Sequence, residues 1–144
     1  MKFIVEKEIF EKLPNAFFGV VMAKGIDNSK AYPEVNRLLD ESIAAAAQRF
    51  EGKKVKEEPD ILPYREAFRA LDINPNKYLC SIEALFTRIA KGKGMPHISP
   101  AVDLGNAVSL KYTLPRVCFA VHIRSKPFST SCRDRLPEIR RKRP

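Results

Sequence analysis

Ala16-Phe17-Phe18-Gly19-Val20-Val21-Met22-Ala23 is an unbroken apolar run, bounded by Asn15 on one side and by Lys24-Gly25 on the other. Its short length, its aromatic and β-branched residues and the Lys24-Gly25 stop predict a strand buried on both faces. Gly19 within it reads either as a bulge or close-approach position, or as a small residue that the strand merely tolerates. Just upstream, Lys2-Phe3-Ile4-Val5 is a second, shorter strand candidate. Residues 6–13 follow with Ile9, Phe10 and Leu13 at helical spacing and Pro14 as terminator. With strands at this end and helices beyond, the expected fold class is α+β: a single domain whose helices pack on a small sheet.

Pro33 opens the strongest helix of the chain. Val35, Leu38, Leu39, Ile43, Ala46 and Phe50 share one face, the run Ala44-Ala45-Ala46-Ala47 raises helix propensity, and Gly52 closes the segment. Residues 52–63 are charged and bounded by prolines, which predicts a surface connection. A second helix is expected over residues 64–71, burying Phe68 and Leu71 and ending before Asn74-Pro75. Ser81 reads as the N-cap of a third, with Ile82, Leu85, Phe86 and Ile89 at i, i+3, i+4 and i+7, stopped by Lys91-Gly92-Lys93-Gly94. The last helix, residues 101–112, starts after Pro100 and stops before Pro115. It is apolar almost all round (Ala101, Val102, Leu104, Ala107, Val108, Leu110), and a helix of that kind belongs in an interior. No repeat of 20–50 residues is visible.

Of the 144 residues, 44% are hydrophobic and 30% charged, an ordinary globular balance that excludes disorder over the whole chain. The apolar stretches are far shorter than the roughly 20 residues of a spanning helix, so no membrane span is expected. Glu6 cuts off the apolar start, which leaves no h-region for a secretory signal. Cys80, Cys118 and Cys132 are odd in number and none is spaced Cys-x-x-Cys, which suits a reducing compartment. The expectation is a soluble cytoplasmic protein. The formal net charge of +9 is unevenly placed: residues 1–115 hold 17 basic and 15 acidic residues, and residues 116–144 hold 9 basic and 2 acidic. The sequence pI near 9.6 therefore describes the end of the chain, and the body is close to neutral.

The order Asn74-Pro75-Asn76-Lys77-Tyr78, Ser81-Ile82-Glu83-Ala84-Leu85, Lys91-Gly92-Lys93-Gly94-Met95-Pro96 and then Ser99-Pro100-Ala101-Val102-Asp103-Leu104-Gly105-Asn106-Ala107 through Leu114-Pro115 resembles the B3/B4 domain of the phenylalanyl-tRNA synthetase beta subunit, and especially its free-standing relatives. The likeness covers about residues 1–115. It implies a mixed helix-and-strand domain with tRNA as partner. In the synthetase the domain houses the pocket that hydrolyses tyrosine wrongly attached to the phenylalanine tRNA. Two functions follow as expectations: an RNA-binding protein associated with tRNA, or a trans-acting deacylase of mischarged tRNA. A third expectation is an inactive, truncated remnant or oligomeric structural protein that hides exposed apolar surface in a homo-oligomer. The resemblance stops at Pro115. The family pattern continues into a glycine-rich second half, whereas here all six glycines precede Pro115 and a basic Ser/Pro/Arg stretch follows. The expected division is a B3/B4-like part over residues 1–115 and a loosely ordered basic tail over 116–144, with a shifted reading frame as its origin. Within the tail, Val117-Cys118-Phe119-Ala120-Val121 could carry one strand.

Among residues that could carry chemistry, Lys91-Gly92-Lys93-Gly94, with Arg88 one turn earlier and His97 just beyond, is the best phosphate-contact candidate. Cations on a glycine loop can follow a nucleic-acid backbone. The same residues read equally well as a helix C-cap with basic side chains favoured by the dipole. Lys111 joins the RNA-contacting set. Asp103 and Asn106, at i and i+3 on an apolar helix, need partners if buried. They line a pocket in one reading; in the other they are a first-turn carboxylate and a structural asparagine. The loop lacks Walker A spacing. His97, His122 and the cysteines lack metal-ligand spacing, so neither metal nor cofactor is expected. Cys80 reads as a core residue rather than a nucleophile. No catalytic constellation emerges from residues 1–115. No aromatic stacking platform is evident, since the phenylalanines fall on core faces or in the apolar run. The Arg140-Arg141-Lys142-Arg143 run would attract RNA electrostatically.

Overall fold

The computed structural model describes residues 3–116, and the expectations made for residues 117–144 lie outside them. Helix α1 spans Lys7–Lys12, α2 Pro33–Arg49, α3 Leu62–Ala70, α4 Ser81–Ala90 and α5 Pro100–Tyr112, with one 3-10 turn at Val55–Glu57. Among the described residues there is no strand, so the expected α+β class, with helices on a small sheet, is corrected to an all-helical arrangement.

Helix α2 organises the fold. Pro33 sits in its first turn, where a missing N–H is not needed. The periodic face then delivers Leu39, Ala46 and Phe50 to the interior, each less than 5% exposed. Its most extensive partner is α5, followed by α4, and α4 also rests on α5 and on the 3-10 turn. Helix α4 contributes Ile82, Phe86 and Ile89, α5 contributes Ala107 and Leu110, and Val55, Ile61 and Cys80 come from the connections. The Phe50 and Phe86 rings meet at a centroid distance of 4.6 Å, tilted by 42°. Burying a side chain of that size is worth about 1.5–3 kcal/mol, and a favourable ring pair adds about 0.5–1.5 kcal/mol. No helix among the described residues is long and apolar enough to cross a membrane.

The predicted strand 16–23 is the main departure. Phe17 is 95% and Val21 94% exposed, and Phe18, Val20 and Met22 are also open to solvent. Among the described residues, no backbone hydrogen bond outside the helices involves residues 17–25. A strand is a ladder with a neighbour, and no second strand is present to complete one. Residues 3–5, the other strand candidate among the described residues, are likewise unpaired. The N-terminal segment instead gathers its own small aromatic cluster, with Phe18 against Phe3 at 6.4 Å and edge-on to Phe10 at 5.7 Å. Helix α1 buries no residue fully and is tied to the rest by an exposed Lys12–Asp72 bridge of 2.7 Å.

Two smaller corrections concern α4 and α5. Cys80, in extended conformation, is the N-cap of α4, and Ser81 is its first helical residue. Helix α5 is not wholly interior: Leu104 and Val108 remain 44% and 38% exposed, because α2 and α4 cover only one side of it. Phe68 and Leu71 of the α3 region are half-buried.

Candidate nucleic-acid interface

The loop between α4 and α5 owes its shape to two glycines. Gly92 and Gly94 adopt φ of +69° and +57°, the left-handed region that side chains rarely occupy. Gly92 N–H donates to Ile89 O at 2.8 Å and Lys93 N–H to Arg88 O at 3.2 Å, closing α4. Arg88 Nε donates to Gly94 O at 2.7 Å, so this side chain braces the loop from the preceding turn. Lys91 and Lys93 are exposed, and among the described residues neither has an acidic partner within salt-bridge distance.

Just beyond the loop, His97 stands between two carboxylates on different helices. Its Nε2 lies 3.2 Å from Asp40 Oδ1 on α2, and its Nδ1 lies 3.4 Å from Asp103 Oδ2 on α5. Asp103 is only 3% exposed at the side chain and accepts the Ile98 N–H at 2.9 Å through Oδ1 and 3.3 Å through Oδ2. A buried carboxylate needs such donors, and its place in the first turn of α5 adds the helix dipole. Asn106, half-buried, accepts from Arg116 Nη2 at 3.3 Å, and the same nitrogen donates to Val102 O at 3.1 Å. Arg116 N–H donates to Ser81 Oγ at 3.0 Å, which docks this residue on both α4 and α5. Asp103 and Asn106 thus bind neighbouring protein groups.

Lys111 belongs to a different place. It lines an open cleft of about 510 Å³ with Arg49, Pro59, Asp60, Pro63, Tyr64, Tyr112 and Thr113; neither Asp103 nor Asn106 is part of that lining. Arg49 is held there by several partners. Its guanidinium lies 5.0 Å from the Phe50 ring and 5.6 Å from the Phe86 ring, and it reaches Asp60 at 2.7 Å, Glu58 at 3.4 Å and the Thr113 hydroxyl at 3.0 Å. Its charge is therefore already met by carboxylates. Tyr64 Oη donates to Thr113 O at 2.9 Å, and burial raises the pKa of this phenol. Thr113 caps α5 with φ +54°, an uncommon conformation for a β-branched residue.

The structure adds two residues that the sequence reading passed over. Tyr78 and Tyr112 are 51% and 60% exposed, and each carries a lysine beside its ring: Lys77 Nζ at 5.3 Å and Lys111 Nζ at 5.6 Å. A cation next to an exposed ring is the pairing that single-stranded nucleic acid uses for phosphate contact and base stacking. The two Lys-Tyr dipeptides were the available signal. Among the described residues, no three His, Cys, Asp or Glu side chains are grouped so as to hold a metal ion. Burial pushes the Cys80 thiol above its ordinary range, and a thiol held protonated is a poor nucleophile.

The fold and geometry define a small helical protein with a basic, glycine-shaped loop and two exposed Lys-Tyr pairs. Comparison of the chain with protein-family models, with curated proteins and with solved structures returns no match.

Proposed function

We propose that this chain is a cytoplasmic, tRNA-associated RNA-binding protein of the B3/B4 type, with Lys91 and Lys93 as its principal phosphate contacts within the described residues. One observation carries the reading. Both lysines project from a loop whose backbone is committed by left-handed glycines and braced by Arg88, and neither has an acidic partner among the described residues. A cation with no protein counter-charge is available to displace counterions from a phosphate chain. Arg88 and His97 serve as positioning residues for this loop: Arg88 through Gly94 O, His97 through Asp40 and Asp103. Lys111 with Tyr112, and Lys77 with Tyr78, supply further contacts of the cation-plus-ring kind.

The deacylase reading has less support. Each nitrogen of His97 faces a carboxylate, so among the described residues no imidazole nitrogen is directed at an incoming water. The RNA reading is tested by filter binding of tRNA to the full chain and to a Lys91→Glu/Lys93→Glu variant over a salt series. The variant is expected to bind about tenfold more weakly at low salt, with a slope shallower by about one per lysine. Equal affinity and slope in the two proteins would remove the loop from the interface.

A further inference from the structure

Residues 15–23 contain no charge, no proline and several exposed apolar side chains, and among the described residues their backbone is unpaired from Phe17 onward, Ala16 N–H alone donating to Leu13 O at 3.0 Å. Such a segment is a template for strand addition. We propose that it pairs with the same segment of a second copy of the chain, antiparallel and centred on Gly19, forming a two-fold dimer. This inference is independent of the RNA reading.

The sequence of the segment selects that occupant and that register. With Gly19 opposite Gly19, Phe17 falls opposite Val21 and Phe18 opposite Val20, so every aromatic ring meets a β-branched side chain. Aromatic with β-branched is a favoured cross-strand combination. Ala16 then meets Met22 and Asn15 meets Ala23, while Lys24 falls beside Pro14 rather than beside another lysine. An in-register parallel pairing would instead stack Lys24 on Lys24 at the strand spacing of about 4.8 Å. A one-residue slip would pair odd positions with even ones and mix the two faces.

The faces are already distinct in the single chain. Phe17 and Val21, at 95% and 94% exposure, alternate with Phe18, Val20 and Met22 at 47%, 58% and 61%. The register centred on Gly19 brings the two most exposed residues of each copy onto one shared face. Phe18, on the other face, rests on Phe3 and Phe10, which gives the ribbon an apolar backing that an isolated pair of strands would lack. Gly19 sits at the two-fold axis, and a side chain built there meets nothing within 4 Å of its Cβ in the single chain. A substitution at Gly19 therefore probes the pairing without disturbing the fold of the monomer.

The test is sedimentation equilibrium of the full chain with two variants. The wild type is expected to sediment at twice its 16.4 kDa mass as concentration rises. Gly19→Lys, which sets like charges opposite each other at the axis, should raise the dimer dissociation constant at least about tenfold with an unchanged circular dichroism spectrum. Gly19→Cys should form a disulfide-linked dimer under mild oxidation, well beyond the wild type and beyond Ala44→Cys on the exposed side of α2. A wild type that stays at single-chain mass at every concentration overturns the proposal. So does a dimer whose constant is unmoved by Gly19→Lys, or a Gly19→Cys variant that crosslinks no more than Ala44→Cys.

Discussion

At the scale of single residues, the polar interior sets the sharpest expectations. Arg65 and Glu83 are 5% and 2% exposed and are joined at 2.5 Å, with Arg65 also donating to Pro75 O at 3.2 Å and to Asn76 Oδ1. This network ties α3 to the 74–80 connection and to α4. Glu83 Oε2 has no hydrogen-bond partner among the described residues, so the carboxylate is only half compensated. Removing one member strands a buried charge: Glu83→Ala should cost about 3 kcal/mol in urea denaturation, whereas Arg65→Met combined with Glu83→Leu should recover most of the loss. The second expectation concerns alkaline pH. Burial raises the Cys80 thiol above its ordinary 9.0 and the Tyr64 phenol above its ordinary 10.0. The unfolded chain releases these protons first, so between the unfolded and folded pKa values the native state binds more protons. Their contribution is complete below about pH 9 and is lost as pH rises through the folded values. Urea midpoints should fall as pH rises above about 9, and Cys80→Ala and Tyr64→Phe should each flatten that fall.

At the scale of elements, legibility followed what a pattern can encode. Helices α2, α4 and α5 were readable because a helix satisfies its own backbone, so spacing and punctuation by Pro33, Gly92 and Pro100 suffice. Residues 16–23 were misread because a strand is a relation between two segments, and an apolar run carries no sign of whether its partner is present. Helix α5 was misread more mildly. Its composition is apolar on every side, but burial depends on how many neighbours surround it, and α2 and α4 cover only part. Gly105 shows a related point. A methyl group there would meet the Arg116 guanidinium, the far end of a flexible side chain that lies over α5. Replacing an interior helical glycine by alanine gains roughly 0.5–1 kcal/mol. The Arg116 guanidinium is the far end of a flexible side chain and can swing aside, and its contacts to Val102 O and Asn106 Oδ1 are only partly buried, so their displacement offsets part of that gain. Gly105→Ala should therefore raise stability by about 0.5 kcal/mol in chemical denaturation; a loss instead would mean that Arg116 clamps α5 to α4 more firmly than its exposure suggests.

For the molecule as a whole, electrostatics separates a nearly neutral helical body from a basic end. The exposure of Lys91 and Lys93 was legible because Gly92 and Gly94, one on each side of Lys93 and the first directly after Lys91, force a surface turn. The roles of Arg88 and His97 were not, since Gly94 O is a backbone atom and Asp40 lies 57 residues from His97. Residues 116–144 carry 9 of the 26 basic residues against 2 acidic ones, so they alone would adhere to RNA in a salt-dependent way. Affinity measured on the full chain therefore mixes two sources, and a shortened chain ending at Arg116 distinguishes them. The core formed by the described residues and the Arg116 contacts lie within that length. If the loop binds phosphate, the shortened chain retains a weaker affinity, and Lys91→Glu/Lys93→Glu makes its salt slope shallower by about two, one per lysine. The residual binding of that variant then rests on the Lys77–Tyr78 and Lys111–Tyr112 pairs alone. A shortened chain with intact helical circular dichroism and no affinity for tRNA would assign all attraction to the end of the chain and leave the loop as a helix terminator.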